Sequence, residues 1–158
     1  MKTLLGVLAV AVGIIIIIVV ARDFVPKIPG STQKITKTET LTAQTQKLIL
    51  EVAQTPKEQE IGLSGRMSIG DNQGMIFPFT QPGFYSFWMK NMKFPLDIIY
   101  TSKNKVVSIF KNVPNPTFPT NNLPIYKPEL PADSVIELKG GQTDKLNIKN
   151  GDILNIAL

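Results

Sequence analysis

Apolar residues fall along this chain in three regimes. From Leu4 to Ala21 they form an unbroken, uncharged run of 18 residues. Residues 22–46 are polar, Thr/Gln-rich beyond Pro26, Pro29 and Gly30, and without helical period. From Lys47 onward, short apolar stretches alternate with turn residues, which predicts strands. LILEV (48–52), GMIFPF (74–79), Phe84–Met92, Leu96–Thr101, VVSIFKNV (106–113), SVIEL (134–138) and ILNIAL (153–158) read as seven strands. The stretches from Phe84 to Thr101 form a predicted hairpin broken at Lys93-Phe94-Pro95. Pro78 has no N–H to give to a ladder, which places it at a sheet edge or a strand end. Thr55-Pro56-Lys57-Glu58 has the spacing of a capping box with Pro at N1. It predicts a short helix over 56–63, weakened and ended by Gly62 and Gly65. A second turn or helix is expected over 143–148. Six prolines between 114 and 131 exclude a helix or a central strand there.

The predicted architecture is therefore α+β and β-dominated. A mostly antiparallel sheet of about seven strands curls into a partial barrel with one or two short helices, behind an N-terminal transmembrane helix. The expected division is a membrane anchor or signal sequence over 1–22, a flexible tether over 23–46, and one globular domain over 47–158. The anchor reading rests on length. As a helix, the first run spans about 27 Å at about 1.5 Å per residue, against a hydrocarbon core of about 30 Å. A cleaved signal has an apolar region of roughly 7–15 residues, which favours the uncleaved anchor. Lys2 suits a cytoplasmic N-terminus, whereas Arg22, Lys27, Lys34 and Lys37 pull the other way. A short N-tail before a long exported domain is the commoner arrangement, so the domain is expected outside the cytoplasm, periplasmic or at the cell surface.

Composition narrows the chemistry. The chain has no His and no Cys, which excludes His-based triads, thiol nucleophiles and zinc sites of the usual ligand types. No cofactor or metal is expected. The net charge of +5 is carried by scattered bases, three of which flank the apolar run. That distribution argues against a nucleic-acid partner. Met67, Met75, Met89 and Met92 could in principle hold Cu(I); without His or Cys among them, core packing is the stronger reading.

The stretch FWMKNM (87–92) followed by PLDIIY (95–100) joins TPKEQEIGL (55–63), GLSGRM (62–67), GMIFPF (74–79), SVIEL and KNGDIL (149–154) in one ordered set. This set resembles the domain of unknown function 192 family from about Lys47 to the C-terminus. The resemblance implies a compact β-rich domain and carries no established reaction. Two positions depart from the family's helix motif, with Gln59 in place of Arg and Ser64 in place of Met.

Candidate site residues cluster around 84–101. Trp88 is the sole tryptophan, and Lys90 and Asn91 stand beside it. Asp97 lies between Leu96 and Ile98, where an ionised carboxylate needs a partner or exposure. Lys90 and Arg66 are its expected partners. Tyr126 sits in the Pro-rich segment. The favoured function is a non-catalytic binding module for an envelope polymer or partner protein, working through a groove between 84–101 and the Pro-rich loop. The first alternative is a metal-free, carboxylate-dependent enzyme on carbohydrate-like substrates, with Asp97 as weak catalytic candidate and Trp88 as platform. It needs a second carboxylate, for which Glu51 and Glu137 are the mid-strand choices. A structural envelope protein is the third reading.

Overall fold

The structure, a computed structural model, describes residues 37–43, 46–117 and 122–157. The expected anchor and the tether up to residue 36 lie outside them. No described helix is long and apolar enough to cross a membrane. Among the described residues, seven strands and two short helices follow one another. These are β1 (Thr38–Ala43), β2 (Gln46–Val52), α1 (Pro56–Ile61), β3 (Gln73–Gly83), β4 (Leu96–Ser102), β5 (Lys105–Val113), β6 (Ala132–Lys139), α2 (Gln142–Lys145) and β7 (Asn155–Ala157).

They build one sheet in the order β5-β4-β6-β3-β2-β1-β7. Every neighbouring pair is antiparallel except β2–β3, which is parallel and joined through α1. The sheet is thus mixed. It also curls back on itself. Lys105 at the start of β5 bridges Ile153 just before β7, and the Val106 and Leu154 amides donate to the Asp152 and Asn104 carbonyls at 2.8 and 2.9 Å. Leu41 of β1 and Val106 of β5, near opposite ends of the strand order, share one apolar cluster with Leu50, Ile99, Ile136 and Leu138. That cluster fills the inside of the partial barrel. A second cluster covers the outer face, where Met75, Phe77, Ile98, Tyr100 and Val135 project from the strands. Leu63, Met89, Met92 and Phe94, which follow α1 or precede β4, close over them.

Several expectations hold and several move. The helix α1 has its capping box as predicted. Glu58 N–H donates to Thr55 Oγ1 at 3.2 Å, and Thr55 N–H donates back to Glu58 Oε2 at 2.8 Å. Gly62, at φ 51, ends the helix, in a conformation that costs glycine little. The β4–β5 hairpin turns through Lys103 and Asn104, both left-handed, as a two-residue hairpin loop requires.

The sheet begins at Thr38, inside the stretch expected to be tether. Glu39, Leu41 and Ala43 are buried, alternating with three threonines, so TETLTA is a strand whose period is hidden by its polarity. Phe84–Met92 is not a strand, and no hairpin 84–101 forms. The segment instead crosses the outer face, tied down by one bridge from Phe87 to Tyr126. Pro78 is not on a sheet edge, since β3 lies between β2 and β6. It does stand where pairing fails, because β2 pairs only as far as Ile76 and the β6 register shifts after Pro78.

Gly74 fixes the spacing of the central strands. It pairs with Leu50 of β2 and Leu138 of β6. A Cβ there would stand 2.6 Å from Leu138 Cδ2 and 2.7 Å from the Glu137 carbonyl oxygen. Gly74→Ala is accordingly expected to destabilise the fold by about 2 kcal/mol, the usual scale of overpacking. A lowered urea midpoint at unchanged slope would register it, and an unchanged midpoint would show that β6 gives way freely.

Candidate binding pocket

Short chain connections place the site. The turn after α1 and the segment 84–92 pack against each other through the backbone. Ser64 Oγ donates to the Lys90 carbonyl at 2.8 Å, and Gly65 N–H donates to the Asn91 carbonyl at 3.0 Å. Asn91 is left-handed (φ 58), which turns its carbonyl toward that contact. On the other side, Phe87 exchanges both backbone hydrogen bonds with Tyr126, at 2.9 and 2.8 Å. The Tyr100 hydroxyl donates to the same Tyr126 carbonyl at 2.8 Å. The segment is thus held at both ends over the outer face of β3 and β6.

Between them lies a pocket of about 320 Å³, within the range of small-ligand sites. Phe77 and Phe79 of β3 and Tyr85, Phe87 and Trp88 of the crossing segment supply its aromatic wall. Phe79 and Tyr85 stack with centroids 3.5 Å apart, while Phe77 and Phe87 meet edge to face at 5.0 Å. Trp88 is 45% exposed, so its ring faces both the pocket and solvent. Gln59 and Ser64 also line it. Gln59 is held by donating to the Ala53 and Pro78 carbonyls.

The buried charged residue of the pocket is Glu137. Its position in SVIELK puts it on the outer face of β6, opposite Met75 of β3 and Ile98 of β4. It is 6% exposed, and its Oε2 has no hydrogen-bond partner among the described residues. Burial pushes its carboxyl up to about 8, against a smaller downward pull from Arg66. Arg66 itself is engaged elsewhere. It forms a bidentate pair with Glu51 of β2, Nη1–Oε1 at 2.5 Å and Nη2–Oε2 at 2.7 Å, which raises its own proton affinity further.

Asp97 lies on the other side of the sheet. It is fully buried and pairs in register with Leu138, so it faces the inside of the barrel, away from Glu137 and Trp88. Neither Lys90 nor Arg66 is its partner. Oδ1 accepts from the Asn112 and Gly141 amides at 2.6 and 3.0 Å, and Oδ2 accepts from the Thr143 amide and hydroxyl, both at 2.7 Å. Gly141, at the N-cap of α2, has no side chain to offer, and Asp97 supplies the cap from β4.

Of the six ligand-binding candidates Trp88, Lys90, Asn91, Asp97, Arg66 and Tyr126, then, only Trp88 lines the pocket. Lys90 and Asn91 are exposed and contribute backbone carbonyls, Arg66 is bound to Glu51, and Tyr126 packs edge to face on Phe110 at 5.3 Å. Met75, Met89 and Met92 belong to the core whereas Met67 is 80% exposed, so the four thioethers do not converge. Sequence reasoning named Glu137 only as a companion to Asp97 and missed the aromatic wall. The readable signal was an acid within an apolar strand, which Glu137 shares with Asp97.

Comparison with known proteins agrees with this fold. A crystal structure of a protein of unknown function from Novosphingobium aromaticivorans DSM 12444 matches with 31% identity and a TM-score of 0.64, covering 77% of this chain and 84% of that one. A second, from Sinorhizobium meliloti 1021, whose description suggests a transcription regulator, matches with 28% identity and a TM-score of 0.65, covering 75% and 93%. No curated protein matches. The profile of the DUF192 family, described as "Uncharacterized ACR, COG1430", matches residues 38–156, starting where β1 starts. The chain belongs to the DUF192 family.

Proposed function

We propose that this domain is a binding module that holds a ring or side chain of its ligand in the pocket between α1 and the segment 84–92. The observation that carries the reading is the half-exposed Trp88 on an aromatic wall beside the buried carboxyl of Glu137. Such a site combines apolar area with one polar group that fixes orientation. Asp97, on which the enzymatic alternative turned, gives that alternative no support, because all its hydrogen bonds serve the fold. With the N-terminal run acting as a membrane anchor and the domain outside the cytoplasm, the ligand comes from an envelope polymer or a partner protein.

A thermal-shift screen of the full chain against soluble envelope glycans and short peptides tests this. A ligand at a hundredfold excess over its Kd adds about 2.7 kcal/mol to stability. Trp88→Ala is expected to weaken binding of any hit about tenfold, the equivalent of about 1.4 kcal/mol of aromatic contact. Hits that shift wild type and Trp88→Ala equally would place the ligand elsewhere and remove the pocket from the reading.

A further inference from the structure

Glu137 is a buried acid whose surroundings leave one of its oxygens unused. Among the described residues, Glu39 also has a buried oxygen without a partner, but its other oxygen meets Lys37 at 3.0 Å. Among the described residues Glu137 forms no ion pair and feels only the weaker pull of Arg66. Burying a carboxyl in this way is costly unless something at the site uses it.

From the arrangement of charge and aromatic rings we infer that the pocket takes an alkylammonium group, with Glu137 Oε2 as its hydrogen-bond acceptor and counter-ion. This rests on the pocket being the binding site and names the chemistry that it selects. The charges around Glu137 leave room for one cation. Arg66, beyond the turn after α1, is neutralised by its bidentate pair with Glu51 of β2. Glu60 of α1, at the pocket rim, is paired with Lys57 at 3.1 Å. From β4, Tyr100 presents a phenol whose proton is held more tightly than usual, first by burial and then by Glu137 itself. An ionised Glu137 is therefore a single unmatched negative charge.

The walls suit the same ligand. The faces of Phe, Tyr and Trp attract ammonium groups, and more strongly where water is excluded. The apolar stem of an alkylammonium would lie against Phe77, Phe79 and Trp88. Gly62 keeps the approach open, since a Cβ there would fall 3.3 Å from Phe77 and 3.7 Å from Glu137 Oε2.

Because the cation binds the ionised acid, its binding releases a proton where free Glu137 is protonated. Trp88, the sole tryptophan, reports on the pocket. The test titrates the full chain with n-butylamine and with butan-1-ol, which has the same stem and a donor but no charge. Nα-acetyl-lysine amide is a third probe. The amines are expected to bind at least tenfold tighter than the alcohol at high pH. Their affinity should rise by up to about tenfold per pH unit from pH 6 to pH 8, with a proton released in calorimetry. Glu137→Gln should flatten that dependence and bring amine and alcohol together; proton release in the wild type tests the same point without a variant. Tighter binding of the lysine derivative than of n-butylamine would assign a peptide-borne amine, and the reverse order a free one. Equal, pH-independent binding of amine and alcohol would overturn the inference and leave the pocket standing. No response of Trp88 to any probe would likewise overturn the inference, and the pocket itself would then stand or fall with the glycan and peptide screen.

Discussion

Asp97→Ala is expected to cost the fold about 4 kcal/mol or more, out of the 5–15 kcal/mol typical of a domain. The substitution removes one acceptor group and strands four donors, namely the amides of Asn112, Gly141 and Thr143 and the Thr143 hydroxyl. Each buried donor without a partner costs about 1–3 kcal/mol, and bonds to a charged acceptor lie at the upper end. Loss of the carboxylate also uncaps α2 and releases β5 from β4 at Asn112, where the backbone is held left-handed. Asp97→Asn should fall between, since its carbonyl still accepts while its amide group opposes donors. Urea unfolding followed by circular dichroism measures both. Ligand binding at Trp88, in whatever fraction remains folded, should be unchanged. A loss below about 1 kcal/mol in Asp97→Ala would mean that the donors find water instead.

The second large effect is a dependence of stability on pH that runs opposite to ordinary acid denaturation. In the folded chain Glu137 keeps its proton up to about 8, against an ordinary value of 4.5. Between those values the folded state holds one more proton than the unfolded state, so stability declines as pH rises. The contribution is fully present below 4.5 and is lost as pH passes through about 8. The slope is about 1.4 kcal/mol per pH unit, or about 3 kcal/mol between pH 5 and pH 7. At roughly 3–5 °C per kcal/mol, Tm should fall by about 10 °C over that interval.

The window is clean because the chain has no His. Glu58, held low first by the Thr55 amide, and Asp71, held low first by Lys139, act only at the acid end. Glu137→Gln should remove the slope. It should also make the protein more stable than wild type at pH 8, because a neutral amide replaces an acid forced to ionise in an apolar setting. A Tm that stays level from pH 5 to pH 7 in the wild type would show that water or a partner reaches the carboxyl.

The fold was legible where its causes are local. The Thr55–Glu58 box is written in four residues and stands where the spacing put it. The parallel pairing of β2 with β3 was not read, although the strand–helix–strand run over 48–79 holds the crossover that parallel neighbours need. Two stretches failed for opposite reasons. TETLTA is a strand because β2 and β7 flank it, and its threonines hide the alternation. FYSFWM alternates well enough, but the outer face of β3 and β6 is already a sheet surface that needs a cover, and this segment supplies it. Its partner, Tyr126, is 39 positions from Phe87, and no local pattern announces that pairing. The same limit governed the site. Asp97 and Glu137 look alike in sequence, each an acid within an apolar strand. Which one meets a row of amides and which one meets a pocket depends on the face of the sheet, and register alone decides it.

The place of β7 beside β1 has a consequence for synthesis. Among the described strands, the first to leave the ribosome is flanked by the last, so β1 can pair with β2 as a hairpin but keeps one edge bare until residues 155–157 emerge. β6, which joins β3 to β4, also arrives late. A nascent chain halted before residue 132 would carry two separate pieces of sheet, β1–β2–β3 and the β4–β5 hairpin, with apolar faces open to water. For such a chain the hazard lies in the interval before the C-terminus is made, when a chaperone must stand in for the missing strands.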